Sequence, residues 1–174
     1  MRTQRLFVYA FAACLVLLGT RSAIADDGSG FSNASLNGSY RIFSNVSSDG
    51  STAHTYFIGV ITYDGRGHAR MVDRGTTIDS TNSAAPSSFE ETGTFEYRVK
   101  RDGSFTQSGF FEGNPPASYV ITNVQYVGQI GAQGSILILS AAIPLQPTTF
   151  TSGGAVPSVH YGSFTATAVR IPKE

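Results

Sequence analysis

The stretch from residue 89 to residue 100 constrains this chain most. Phe89, Phe95, Tyr97 and Val99 fall at even spacing, with Glu90, Glu96, Arg98 and Lys100 between them. A period of two places the apolar set on one face of a pleated strand and the charges on the other. Arg101-Asp102-Gly103-Ser104 follows at once, and residues 105–112 form a second aromatic run. Asp-Gly favours the positive φ angles of a tight hairpin. The same unit occurs earlier. Residues 55–63 are aromatic and β-branched, Asp64-Gly65-Arg66-Gly67 is a turn, and residues 68–73 return, with room to continue to 78. Strand, turn and strand used twice in this way predict an antiparallel meander.

The remaining segments extend the pattern. Residues 36–46 and 119–130 read as strands, as do 135–143 and 159–171. Ser47-Ser48-Asp49-Gly50-Ser51 is turn chemistry. Residues 80–88 form a loop, and Gly113-Asn114-Pro115-Pro116 breaks the ladder because proline cannot donate to it. Residues 143–157 are a long Pro/Gly/Thr-rich loop. The count is about eight strands, and closing them on themselves removes the exposed edges. The expected fold is therefore all-β: an antiparallel up-and-down barrel of about eight strands, with a two-sheet sandwich as the alternative. Glu, Arg and Lys in mid-strand on the outward face argue against an outer-membrane barrel.

The N-terminus sets where the protein works. Met1-Arg2-Thr3-Gln4-Arg5 is a basic head, residues 6–19 are apolar and uncharged, and Ala23 and Ala25 offer small residues ahead of Asp26. That is the pattern of a secretory signal peptide. The expected organisation is a signal over 1–25, a flexible leader over 26–35 and a barrel over 36–174, in a secreted or periplasmic protein. The single cysteine, Cys14, lies in the apolar run. A lipoprotein cleaved before Cys14 is the alternative, disfavoured by Phe11 and by the apolar residues that continue through Leu18. A chain starting at Asp26 has no disulfide or thiol chemistry.

Several function classes find no support. Net charge is zero and no basic stripe is present, so no nucleic-acid partner is expected. No membrane insertion of the mature chain is expected either. His54, His68 and His160 lack the short spacing of zinc ligands, and neither a metal nor another cofactor is expected. No Gly-x-Ser-x-Gly elbow occurs. Gly65-Arg66-Gly67 sits in a hairpin with no helix after it, so it is not a phosphate loop. The Asn-x-Ser sequons at Asn33, Asn37 and Asn45 are chance occurrences in a Ser-rich chain.

The candidate site lies on the inward face of residues 89–100. Counting by twos from Phe89 brings Glu91 inside with Phe95 and Tyr97, and these three are the candidate ligand-binding residues. An acid inside a barrel has a raised pKa and can act as acid, base or anchor; at the barrel mouth it would simply meet water. Asp73 and Glu112 have similar status. Residues 56–61 and 136–139 are apolar on both faces. The surplus predicts cover, either by the 143–157 loop or by a second subunit in a homo-oligomer.

Leu36-Asn37-Gly38-Ser39-Tyr40, Gly59 through the Asp64-Gly65-Arg66-Gly67 turn, Gly93-Thr94-Phe95-Glu96-Tyr97 and Arg101-Asp102-Gly103-Ser104-Phe105 together carry a resemblance. The chain resembles uncharacterised secreted bacterial proteins with calycin-like β-barrels and is more distantly similar to the allene oxide cyclase barrel. Calycins place Gly-x-Trp at the start of strand one, with a basic residue of the last strand across it. The resemblance implies that Gly38-Ser39-Tyr40 and Arg170 fill those positions, with Tyr in place of Trp, and plug one end. It carries over no catalytic residue.

Three functions follow as expectations. The first is binding of a small hydrophobic or amphipathic molecule in the barrel mouth. The second is a cyclase- or isomerase-like enzyme on a lipid-like substrate, which needs a cluster of polar groups inside the barrel. The third is a structural or interaction protein with a packed interior. A dry cavity favours the first, a cavity with a buried acid and polar partners the second, and no cavity the third.

Overall fold

The computed structural model describes residues 30–48, 53–79, 86–116 and 118–173. The signal segment, Cys14 and the start of the leader lie outside them. The strands are β1 (Gly38–Ser48), β2 (Ala53–Tyr63), β3 (His68–Asp79), β4 (Ser87–Val99), β5 (Ser104–Gly113), β6 (Tyr119–Gly131), β7 (Ile136–Ala141), β8 (Gln146–Ser152) and β9 (Ser158–Arg170). Neighbours pair antiparallel throughout, and β9 returns to β1. β7 and β8 both lie between β6 and β9 and together serve as one wall position, so the sheet closes as an eight-stranded up-and-down barrel.

The two Asp-Gly turns form as their residues dictate. Asp64 Oδ1 accepts from the amides of Arg66, Gly67 and His68 at 2.7, 3.0 and 3.0 Å, and Gly65 adopts φ +76°. Those bonds hold the Asp64 carboxyl below the usual range, with the His68 amide contributing most. In the second turn Asp102 Oδ1 accepts from Ser104 N at 2.9 Å, and Gly103 has φ +81°.

The stretch 143–157 departs from the expected loop, because Gln146–Ser152 is a strand. Pro147 is tolerated there because at that position β8 pairs with β9, through Tyr161, while its pairing with β6 starts only at Thr149. This segment therefore does not lie over the apolar outer surface. Phe43 remains 50% exposed and Ile138 62% exposed.

Residues 31–35, expected within the flexible leader, are ordered instead. Phe31 N donates to Arg101 O at 3.1 Å, and Asn33–Leu36 is a 3-10 helix with Leu36 fully buried. This helix caps one end of the barrel. Asn33 Oδ1 accepts from Val99 N at 2.8 Å, and Tyr97 Oη donates to Asn33 O at 3.1 Å. The Arg170 guanidinium lies over the Tyr40 ring, 5.1 Å from its centroid. It donates to Tyr40 Oη at 2.7 Å, Ser35 O at 3.0 Å and Gly134 O at 3.0 Å. Tyr40, Tyr63 and Tyr97 then stack edge to face inside this end, at centroid distances of 5.7 and 5.0 Å.

Candidate functional site

The opposite end of the barrel stays open. A cavity of about 510 Å³ lies in that mouth. Its lining is mostly apolar, led by Phe57, Phe89, Phe111, Ile121 and Phe150, with Glu91 and Tyr119 as a polar pair and His160 at the rim. A more open groove of about 610 Å³ runs outside β2–β4, past Ile58, Arg74 and Glu90. Of these two, the mouth cavity is the one that combines inward-facing rings with a buried acid.

One row of the wall builds the polar part. Around the barrel, Gly59, Asp73, Glu91 and Gly113 are successive cross-strand partners on β2, β3, β4 and β5. A β-carbon at Gly113 would run into the Tyr119 ring, so the glycine lets that ring cross the wall. Tyr119 Oη then donates to Glu91 Oε2 at 2.8 Å. Phe150 stacks on the Tyr119 ring at 5.2 Å and fixes its tilt.

Tyr119 faces inward because β6 is bulged. Gly109 pairs with Val124 but Phe111 pairs with Ile121, so β6 carries one extra residue. Asn123 takes up the irregularity at φ +61°, and its Nδ2 donates to Thr149 Oγ1 at 3.1 Å. Without the bulge, the alternation that turns Val124 and Tyr126 inward would turn Tyr119 out. Counting by twos along β6 from Val124 would therefore place Tyr119 on the wrong face.

Both acids are buried: Asp73 is 3% exposed and Glu91 5%. Burial pushes the Glu91 carboxyl up to about 7, opposed by the Tyr119 hydrogen bond. Burial, then repulsion from Glu91, pushes Asp73 up to about 8. Neither Asp73 oxygen has a hydrogen-bond partner among the described residues. As cross-strand partners the two acids sit side by side, and the Glu91 charge adds to burial in favouring the protonated form of Asp73. Burial raises the Tyr119 phenol as well, helped by the Glu91 charge, so it remains a donor.

The three residues expected to line one site do not share it. Glu91 lines the cavity. Phe95 lies one layer deeper, its ring 5.2 Å from Phe111 and 6.0 Å from Tyr126. It packs the floor because Gly93 and Gly109 leave room for its ring. Tyr97 is at the closed end, bound to Asn33, and is a structural residue there. Glu112 is exposed on the outer face. Of the histidines, only His160 borders the cavity, with Nε2 2.8 Å from Ser158 Oγ. His68 pairs with Asp64 at 3.1 Å in the closed-end turn, and His54 lies 3.4 Å from Ser47 Oγ. Among the described residues no three His, Cys, Asp or Glu side chains converge as a metal site.

No protein-family model and no curated protein matches the chain. Among solved structures, an S-type phycobiliprotein lyase, CPES, from Guillardia theta is similar at 9% identity. The match covers 82% of this chain and 92% of that one, with a TM-score of 0.40.

Proposed function

We propose that this is an exported binding protein that takes a small amphipathic molecule, apolar body inward, in the open mouth of its barrel. The observation that carries this reading is the mouth cavity itself. At about 510 Å³ it has the size of a small-molecule site, with aromatic walls and one polar pair to orient a ligand. The Tyr40–Arg170 plug supports placing the chain among the calycin-like barrels.

The neutral fluorophore N-phenyl-1-naphthylamine tests the cavity. Its emission should rise saturably on binding. Val46→Trp, which adds bulk at the cavity wall, should abolish the rise while circular dichroism stays unchanged. Filling at Gly93 or Gly109 is unsuitable, because a β-carbon there meets the Phe95 ring. No saturable signal would leave a structural or interaction role.

Export rests on residues 1–25. N-terminal sequencing of the protein released by its host should read Asp26 first; a lipid-modified Cys14 would refute that. A second reading, acid–base catalysis, is favoured by one observation. Glu91 combines a pKa near neutrality with a place on the cavity wall. A compound consumed by the native protein but only bound by Glu91→Gln would establish it.

A further inference from the structure

Asp73 and Glu91 form a buried acid pair with no cation to meet it. Among the residues lining the cavity there is no Lys or Arg. The only arginine of the last strand, Arg170, is at the other end, committed to Tyr40, Ser35 and Gly134. No salt bridge to either acid occurs among the described residues, and both Asp73 oxygens are sealed from water without a partner. A buried polar group left in that state costs stability unless something else satisfies it. The wall is nonetheless arranged to keep the pair. Gly59 gives Asp73 room, Gly113 gives Tyr119 passage, and the bulge at Asn123 turns Tyr119 toward Glu91.

Resting on the binding reading above, we propose that the mouth selects ligands whose polar head is a cation, an ammonium group on an apolar body, with Glu91 meeting the head and Asp73 adding a second negative charge behind it. A hydroxyl or carbonyl head would satisfy one oxygen but bring no charge to balance an ionised acid. A carboxylate head would add a third acid to the pair. An ammonium attracts both carboxylates and offsets the repulsion between them once they ionise. Of the titratable groups, Glu91 on β4, Tyr119 on β6 and His160 on β9 line the cavity, while Asp73 on β3 and Tyr126 on β6 lie outside its lining, close enough to interact electrostatically with Glu91. The neighbouring inward positions of β2 and β5, Phe57, Gly59, Phe111 and Gly113, carry no charge.

Three compounds with one tail test the proposal: decylammonium, decanol and decanoate, each below its aggregation concentration, competing with N-phenyl-1-naphthylamine near neutral pH. Decylammonium should displace the fluorophore at least about tenfold more tightly than decanol, a difference of about 1.4 kcal/mol, with decanoate weakest. Glu91→Gln and Asp73→Asn should each cut the preference for decylammonium over decanol to within about threefold. Tyr119→Phe keeps both acids and should keep the preference, which separates loss of charge from disturbance of the cavity. If decanol or decanoate competes as well as decylammonium, or if the preference survives both acid variants, the cationic-head proposal is wrong while the binding site stands. If the fluorophore itself does not bind, the binding reading falls with it.

Discussion

Asp73 and Glu91 make the barrel's stability depend on pH in an unusual direction. In the unfolded chain both carboxyls ionise near pH 4. In the barrel, Glu91 holds its proton to about 7 and Asp73 to about 8. Between those values the native state binds protons that the unfolded state has released, so stability falls as pH rises. The contribution is intact below the unfolded values, declines above them and is gone once pH passes the folded ones. The urea midpoint should therefore drop between about pH 5.5 and about pH 8.5, and the Asp73→Asn/Glu91→Gln double variant should lose most of that drop. A flat profile in the unsubstituted protein would show that the acids are solvated. Glu91 was legible from alternation alone, because β4 runs without a break from Phe89 to Val99 and every second residue keeps its face. Tyr119 was not, because its direction depends on a neighbour's backbone angle. Nor was the pairing of Asp73 with Glu91, since register across β3 and β4 is set by the loop between them and by packing, not by either strand's own pattern.

At the scale of the element, the β6 bulge is the device that assembles the site. Asn is among the few side chains that accept a left-handed angle without much strain, and a β-branched residue at φ +61° is not. Asn123→Val should cost about 1–3 kcal/mol in urea unfolding and weaken fluorophore binding, because Tyr119 and Ile121 lose their aim. Asn123→Gly should stay within about 0.5 kcal/mol of the parent. Equal losses in the two variants would mean that the Asn123 side chain, not its backbone, holds the bulge. The hairpins at Asp64-Gly65 and Asp102-Gly103 were readable because their chemistry is local. β8 was not. Pro144, Pro147 and the glycines at 153 and 154 look like loop, and only the free position between β6 and β9 makes Gln146–Ser152 a strand.

For the whole molecule, closure into a barrel followed from the lack of any covered edge in a chain of consecutive hairpins. Cover of the doubly apolar strands by residues 143–157 did not follow, because that segment completes the wall. That completion leaves a discontinuity. Between Ala141 and Gln146 the wall position is interrupted. On β6, Val124 has no ladder partner on that side, and on β9 neither do Ser163 and Phe164. Above the break β8 is held to β6 by four residue pairs, from Tyr119–Ser152 to Thr122–Thr149. Below it, β7 and β9 run into the plugged end. The break thus divides this wall position into a base, β7, and an upper flap, β8, which five pairs also tie to β9 and which carries Phe150 and Thr148 of the cavity wall. Hydrogen exchange should open the amides of β8 and of residues 158–162 well before those of residues 165–170, and uniform exchange along β9 would refute the division. The rim of the cavity would then yield locally to admit a tail wider than the resting aperture, and occupancy would be read as slowed exchange in the flap while the base keeps its pace.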